Sequence, residues 1–134
     1  MTTTARAIVI ELPLPPRALS SNGSHGHWSK KNRAAQDYRL ECKILALMDC
    51  RVRLLDRRRM RVSYAFGIKG ARKTGVYCPR DIPNALAAFK AGQDALVDAG
   101  VLVDDSAKWM ELGTVTIDPK VGPFVRVTVE PCDS

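Results

Sequence analysis

Residues 77–105 read YCPRDIPNALAAFKAGQDALVDAGVLVDD, and this stretch decides the fold. Pro83 suits the first turn of a helix, where its missing N–H costs nothing. Gly100 suits the end of one. Between them Leu86, Phe89, Ala95, Leu96 and Val97 supply apolar contacts, so the pattern predicts one helix over 83–98 that Gly92 weakens slightly. The same stretch gathers charge. Asp81 stands just before the helix, Lys90 and Asp94 lie on it, and Asp104 and Asp105 follow a short extended run, Val101–Val103. Carboxylates brought together in a basic chain point to a divalent cation held against a phosphate.

Upstream, Ala5–Leu12 (ARAIVIEL) alternates apolar and polar residues and reads as a strand, ended by Pro13, Pro15 and Pro16. LSSNGSHGHW, 19–28, is loop. Ser29 can cap a helix running to about Asp49, with Tyr38, Cys42, Leu45 and Ala46 on its buried face. The basic stretch RVRLLDRRRMR, 51–61, merges into a second strand over 60–68, and KGARKTG, 69–75, is loop. Downstream, Met110–Ile117 and Phe124–Glu130 read as strands, and the turn DPKVGP between them predicts an antiparallel hairpin. The expected architecture is α/β (α+β): one compact domain over 1–134, with a mixed or mainly antiparallel sheet and two main helices on one face.

The 134 residues carry a net charge of +7, divided as +12 over residues 1–80 and −5 over residues 81–134. A basic body with a local acidic cluster fits a protein that attracts a polyanion and holds a metal at one place on it. No apolar run is long enough to span a membrane. The N-terminus lacks a secretory pattern, so the expected location is cytoplasmic and the four cysteines are expected to be reduced. Their spacing and the two histidines make a zinc site the weaker reading, and burial is the default for Cys42 and Cys50.

Three blocks carry a family resemblance. LPLPP followed by LSSNGSHGHWSKKNRAAQDYR lies near the N-terminus, RDIPN in the middle, and K-x-x-x-DAL-x-x-AG-x-x-x-DD after it. Together they resemble the RusA family of phage and prophage Holliday junction resolvases, whose middle motif is Arg-Asp-x-Asp-Asn. The resemblance implies a homodimeric endonuclease that cuts branched DNA with Mg²⁺, for which Mn²⁺ substitutes. Carried over by position, it implies Asp81 and Asp105 as metal ligands with Asp104 next, Lys90 near the scissile phosphate, and Asn84 beside the first aspartate. The family's second aspartate is replaced by Pro83. A junction-binding protein of the same fold that cuts weakly or not at all is therefore the alternative. A small basic interaction protein with no preference for branched DNA is a third reading.

Each residue also has a plainer role. Asp81 can stabilise a helix N-terminus, Asn84 can bond locally, and Lys90 with Asp94 can be a surface pair. Asp104 and Asp105 can be turn residues, and Asp94 can hold the helix against a neighbouring loop. Lys30, Lys31, Arg33, Arg57, Arg58, Arg59, Arg61, Lys69, Arg72, Lys73 and Arg80 are the candidates for contacts to DNA phosphates, with a solvated basic face as the alternative. His25, His27 and Trp28 can touch DNA or anchor their loop.

Overall fold

A computed structural model describes residues 7–19, 28–49, 57–71 and 76–132, with side chains left out for residues 28–30. Three rows of apolar side chains organise its sheet. Ile8, Ile10 and Leu12 of β1 (Ile8–Leu12) face Val129, Val127 and Val125 of β4 (Phe124–Pro131). Those valines face Val62, Tyr64 and Phe66 of β2 (Met60–Gly67) on their other side. All nine are buried, so one face of the sheet is the core. β3 (Met110–Asp118) pairs parallel with β2, which gives a four-stranded mixed sheet in the order β1-β4-β2-β3.

The last two strands start and end close to where the sequence places them, but they are not a hairpin. β2 lies between them. The reason is the chemistry of the faces. Val125, Val127 and Val129 are each 0% exposed and lie between apolar rows on both sides. β1 and β2 supply those neighbours, whereas β3 buries Met110 alone and suits an edge. A bulge adjusts the β2–β3 pairing: Val62 faces Leu112 and Tyr64 faces Val115. The Ser63 hydroxyl accepts the Thr114 N–H at 3.1 Å there.

α1 (Trp28–Leu47) buries Tyr38, Cys42 and Ala46, much as its spacing predicts. Burial pushes the Cys42 thiol up to about 12, so it packs as a small apolar group. The Tyr38 hydroxyl donates to the Pro13 carbonyl at 2.5 Å, tying α1 to the segment after β1.

The single helix expected over 83–98 is two: α2 (Ile82–Ala88) and α3 (Lys90–Asp98). Phe89 separates them at φ −88° and ψ 3°. This small departure from helix places its ring at 1% exposure among Tyr38, Tyr64 and Phe66, with centroids 6.3, 5.1 and 5.9 Å away. Gly92 permits this, because a Cβ there would stand 2.4 Å from the Phe89 ring. Gly100, at φ 83°, ends α3 as expected. Val101 N–H bonds to Leu96 O at 2.9 Å and Gly100 N–H to Val97 O at 3.0 Å, a Schellman cap. That cap also explains why 101–103 bends and is not the expected short strand: the Val101 and Leu102 amides both turn back to Leu96 O. Three helices thus cover the buried face of the sheet. No helix of the described residues is long and apolar enough to cross a membrane.

Candidate active site

The crossover from β2 to β3 delivers the charged residues of 77–105 to one end of α2 and one side of α3. Asp81 is the N-cap of α2, with extended backbone at φ −141° and ψ 157°. Its Oδ1 accepts the Asn84 backbone N–H at 2.9 Å, and its Oδ2 accepts the Asn84 side-chain amide at 2.8 Å. Pro83 lies inside this first turn, where no intrahelical donor is required. The plainer roles expected of Asp81 and Asn84 are therefore both present.

Lys90 opens α3 and is held by two carboxylates. Its ammonium donates to Asp105 Oδ2 at 2.6 Å and to Asp94 Oδ1 at 2.8 Å. The Asp105 bond, then the Asp94 bond, raise the Lys90 pKa. Lys90 in turn holds the Asp105 carboxyl below its ordinary value, with Gln93 helping. The Gln93 side-chain amide reaches Asp105 Oδ2 at 3.5 Å, and its carbonyl accepts the Tyr64 hydroxyl at 2.8 Å. The other side of α3 is clamped to α1. Arg39 donates to both Asp98 oxygens at 2.6 and 2.8 Å, and lies 3.8 Å from Asp94. Asp94 thus braces α3 against α1, not against a loop.

Lys90, Gln93 and Asp105 border a shallow, open depression of about 710 Å³. Leu86, Ala87, Ala107, Met110 and Leu112 line the rest of it. The structure brings together Lys90, Asp94 and Asp105. It bonds Asp81 to Asn84, and among the described residues no hydrogen bond or ion pair joins Asp81 to Lys90 or Asp105. Asp104 is exposed beside Asp105. Gln93 and Tyr64 join the cluster with no signal in the sequence, because the two are 29 residues apart.

Among the described residues no three His, Cys, Asp or Glu side chains gather closely enough to hold a metal ion. An all-protein cage of the kind Ca²⁺ or zinc prefers does not fit. Mg²⁺ asks for less: one or two carboxylates, waters and the oxygens of a substrate phosphate. The donor chemistry on offer is carboxylate oxygen at an open surface, and it fits that second kind of site. Charge points the same way. Lys90, Arg39 and Lys43 balance Asp94, Asp98 and Asp105, and Asp104 leaves the cluster with one negative charge.

Of the candidate phosphate contacts, Lys31, Arg33, Arg57, Arg58, Lys69 and Arg80 are exposed. Arg59 is partly committed, donating to Ala107 O at 3.2 Å and Glu111 at 3.3 Å. Arg61 is bound by Glu111 at 2.5 Å and Glu130 at 3.5 Å. Arg72, Lys73, His25, His27, Cys50 and the side chains of Lys30 and Trp28 lie outside what is described. No protein-family model and no curated protein matches the chain.

Proposed function

We propose that this chain is a metal-dependent, structure-specific DNA endonuclease that resolves Holliday junctions and other branched DNA, acting as a homodimer in the cytoplasm. One observation carries the reading: a net-negative carboxylate–lysine cluster at an open depression in a chain of net charge +7. The basic body draws a polyanion in, but the cluster repels its phosphates unless a cation bridges them. Resemblance to the RusA pattern in residues 80–105 supports the same chemistry.

Mg²⁺ or Mn²⁺ taken up by Asp105, with Asp104 alongside and Asp81 as the further ligand that the RusA resemblance implies, would polarise the phosphoryl oxygen and acidify a bound water. Lys90 places a compact positive charge beside Asp105, where it can meet a phosphate oxygen. Asn84 fixes the orientation of the Asp81 carboxylate through its side-chain amide. Arg57, Arg58, Lys69, Arg80, Lys31 and Arg33, with Lys30, Arg59, Arg72 and Lys73, neutralise the backbone of the arms and read no sequence. For the dimer, α1 and the residue after it offer an apolar stripe: Leu40, Ile44, Leu47 and Met48 are 57%, 51%, 42% and 75% exposed. A two-fold dimer presents two equal sites to the two strands that must be cut.

A second reading has its own observation. Pro83 supplies no ligand, and both Asp81 oxygens already serve Asn84. That arrangement suits a protein that binds junctions without cutting them. Purified protein incubated with four-way junction or linear duplex, in Mg²⁺, Mn²⁺ or EDTA, separates the two. Paired cuts in the junction that need the metal support the nuclease. Tight, salt-sensitive junction binding without nicks supports the second reading, and equal affinity for linear duplex removes both.

A further inference from the structure

Tyr64 is 1% exposed, yet it carries a hydroxyl. Its hydroxyl donates to Gln93 Oε1 at 2.8 Å. A buried hydroxyl without a partner is costly, so this bond resists being given up. The ring itself is fixed by Phe89 and Phe66, at 5.1 and 6.2 Å between centroids. Tyr64 is therefore a rigid post rising from β2, one of the two inner strands of the sheet.

The other end of Gln93 faces Asp105. A carboxylate only accepts hydrogen bonds, so the amide nitrogen must point to Asp105 and the amide oxygen to Tyr64. Nothing else about Gln93 is free to vary: one partner donates and the other accepts. The Nε2–Oδ2 separation of 3.5 Å is long, and the oxygen it reaches is the one that holds Lys90. Asp105 sits in a bend outside any helix or strand, so no helix or strand ladder places its carboxylate.

We infer that Gln93 is a positioning residue: it transmits the fixed placement of the buried Tyr64 hydroxyl to the Asp105 carboxylate, and so sets where Lys90 and Asp105 stand at the depression. The inference rests on the nuclease reading for its catalytic consequence but not for the strut itself. Gln93→Glu separates the roles. Glutamate can still accept from Tyr64, so the tie between α3 and β2 survives, but it replaces the amide that faces Asp105 with a like charge that pushes the carboxylate away. Tyr64→Phe removes only the hydroxyl.

Two measurements test it. In the ¹H–¹⁵N spectrum, the Gln93 side-chain amide is expected to stand apart from exposed glutamines and to move in both Tyr64→Phe and Asp105→Ala. A Gln93 amide that responds to neither variant overturns the strut. In junction cleavage, Gln93→Glu is expected to lower kcat about 10–100-fold with KM little changed, while its unfolding midpoint stays near that of the unaltered protein. Unchanged kcat overturns the positioning role. If the unaltered protein cuts no junction but its Gln93 amide moves as expected, the nuclease reading falls and the strut stands.

Discussion

The start of α2 and the side of α3 both present aspartates, but they hold them in different ways. Asp81 is bonded to Asn84, three residues on, and the contact is the one that begins a helix. Asp105 is bonded to Lys90, fifteen residues back, across a helix cap and a bend. The first arrangement follows from building α2 and needs no function to explain it. The second is not required by any element. It holds a lysine between two carboxylates at an open surface, where an ion pair adds little stability. The lesson is that motif residues with a local structural task are weaker pointers to chemistry than a cluster that only tertiary structure assembles.

Paired isosteric substitutions break this contrast most sharply. Asp105→Asn keeps shape and removes the charge that Lys90 faces. Cutting of a four-way junction is expected to fall on the order of 10²–10³-fold, with binding retained. Asp81→Asn is milder on structure, because asparagine caps helices as well as aspartate does. Its unfolding midpoint is expected to stay put while cutting falls by about tenfold or more. Full cutting activity in Asp81→Asn would leave Asp81 as a cap alone and confine the chemistry to the Lys90–Asp105 side.

How far each region could be read from the chain follows the same division. Local signals were legible: the four strands, the α1 face around Tyr38 and Cys42, Pro83 in a first turn, Gly100 as a terminator, and the Lys90–Asp94 pair. The neighbours of the last strand were not. A turn such as DPKVGP favours a hairpin, but the alternating valines of β4 find better partners in β1 and β2, which lie far away in sequence. The break at Phe89 was equally hidden, because it depends on aromatic rings from β2 and α1. In the site, Lys90 and Asp105 were singled out separately by resemblance to the RusA pattern, while their bond to each other, like that of Gln93 with Tyr64, required the fold.

Gly92 sharpens the comparison with a smaller effect whose sign is the test. Glycine to alanine inside a helix ordinarily stabilises by about 1 kcal/mol. Here the added Cβ would lie 2.4, 2.7 and 2.8 Å from three atoms of the Phe89 ring. That ring is buried among three other aromatics and has little room to yield. Gly92→Ala is therefore expected to destabilise by about 1–3 kcal/mol in urea unfolding. A gain in stability would mean that Phe89 shifts freely and does not fix the α2–α3 break.

The smallest expected effect lies on the far side of α3, where the pairing is structural. Arg39 holds the Asp98 carboxyl below its ordinary value, chiefly through their hydrogen bonds. An aspartate whose pKa is lower folded than unfolded adds stability above its unfolded value, about 3.9. That stability disappears as pH falls through the folded value. Both side chains are partly exposed, so Arg39→Ala should cost no more than about 1 kcal/mol near neutral pH. The gap between variant and unaltered protein should then close in acid, once Asp98 is protonated in both states. A gap that persists unchanged at pH 2 would assign the effect to the apolar stem of Arg39 lying on α3, since burial of methylenes does not titrate.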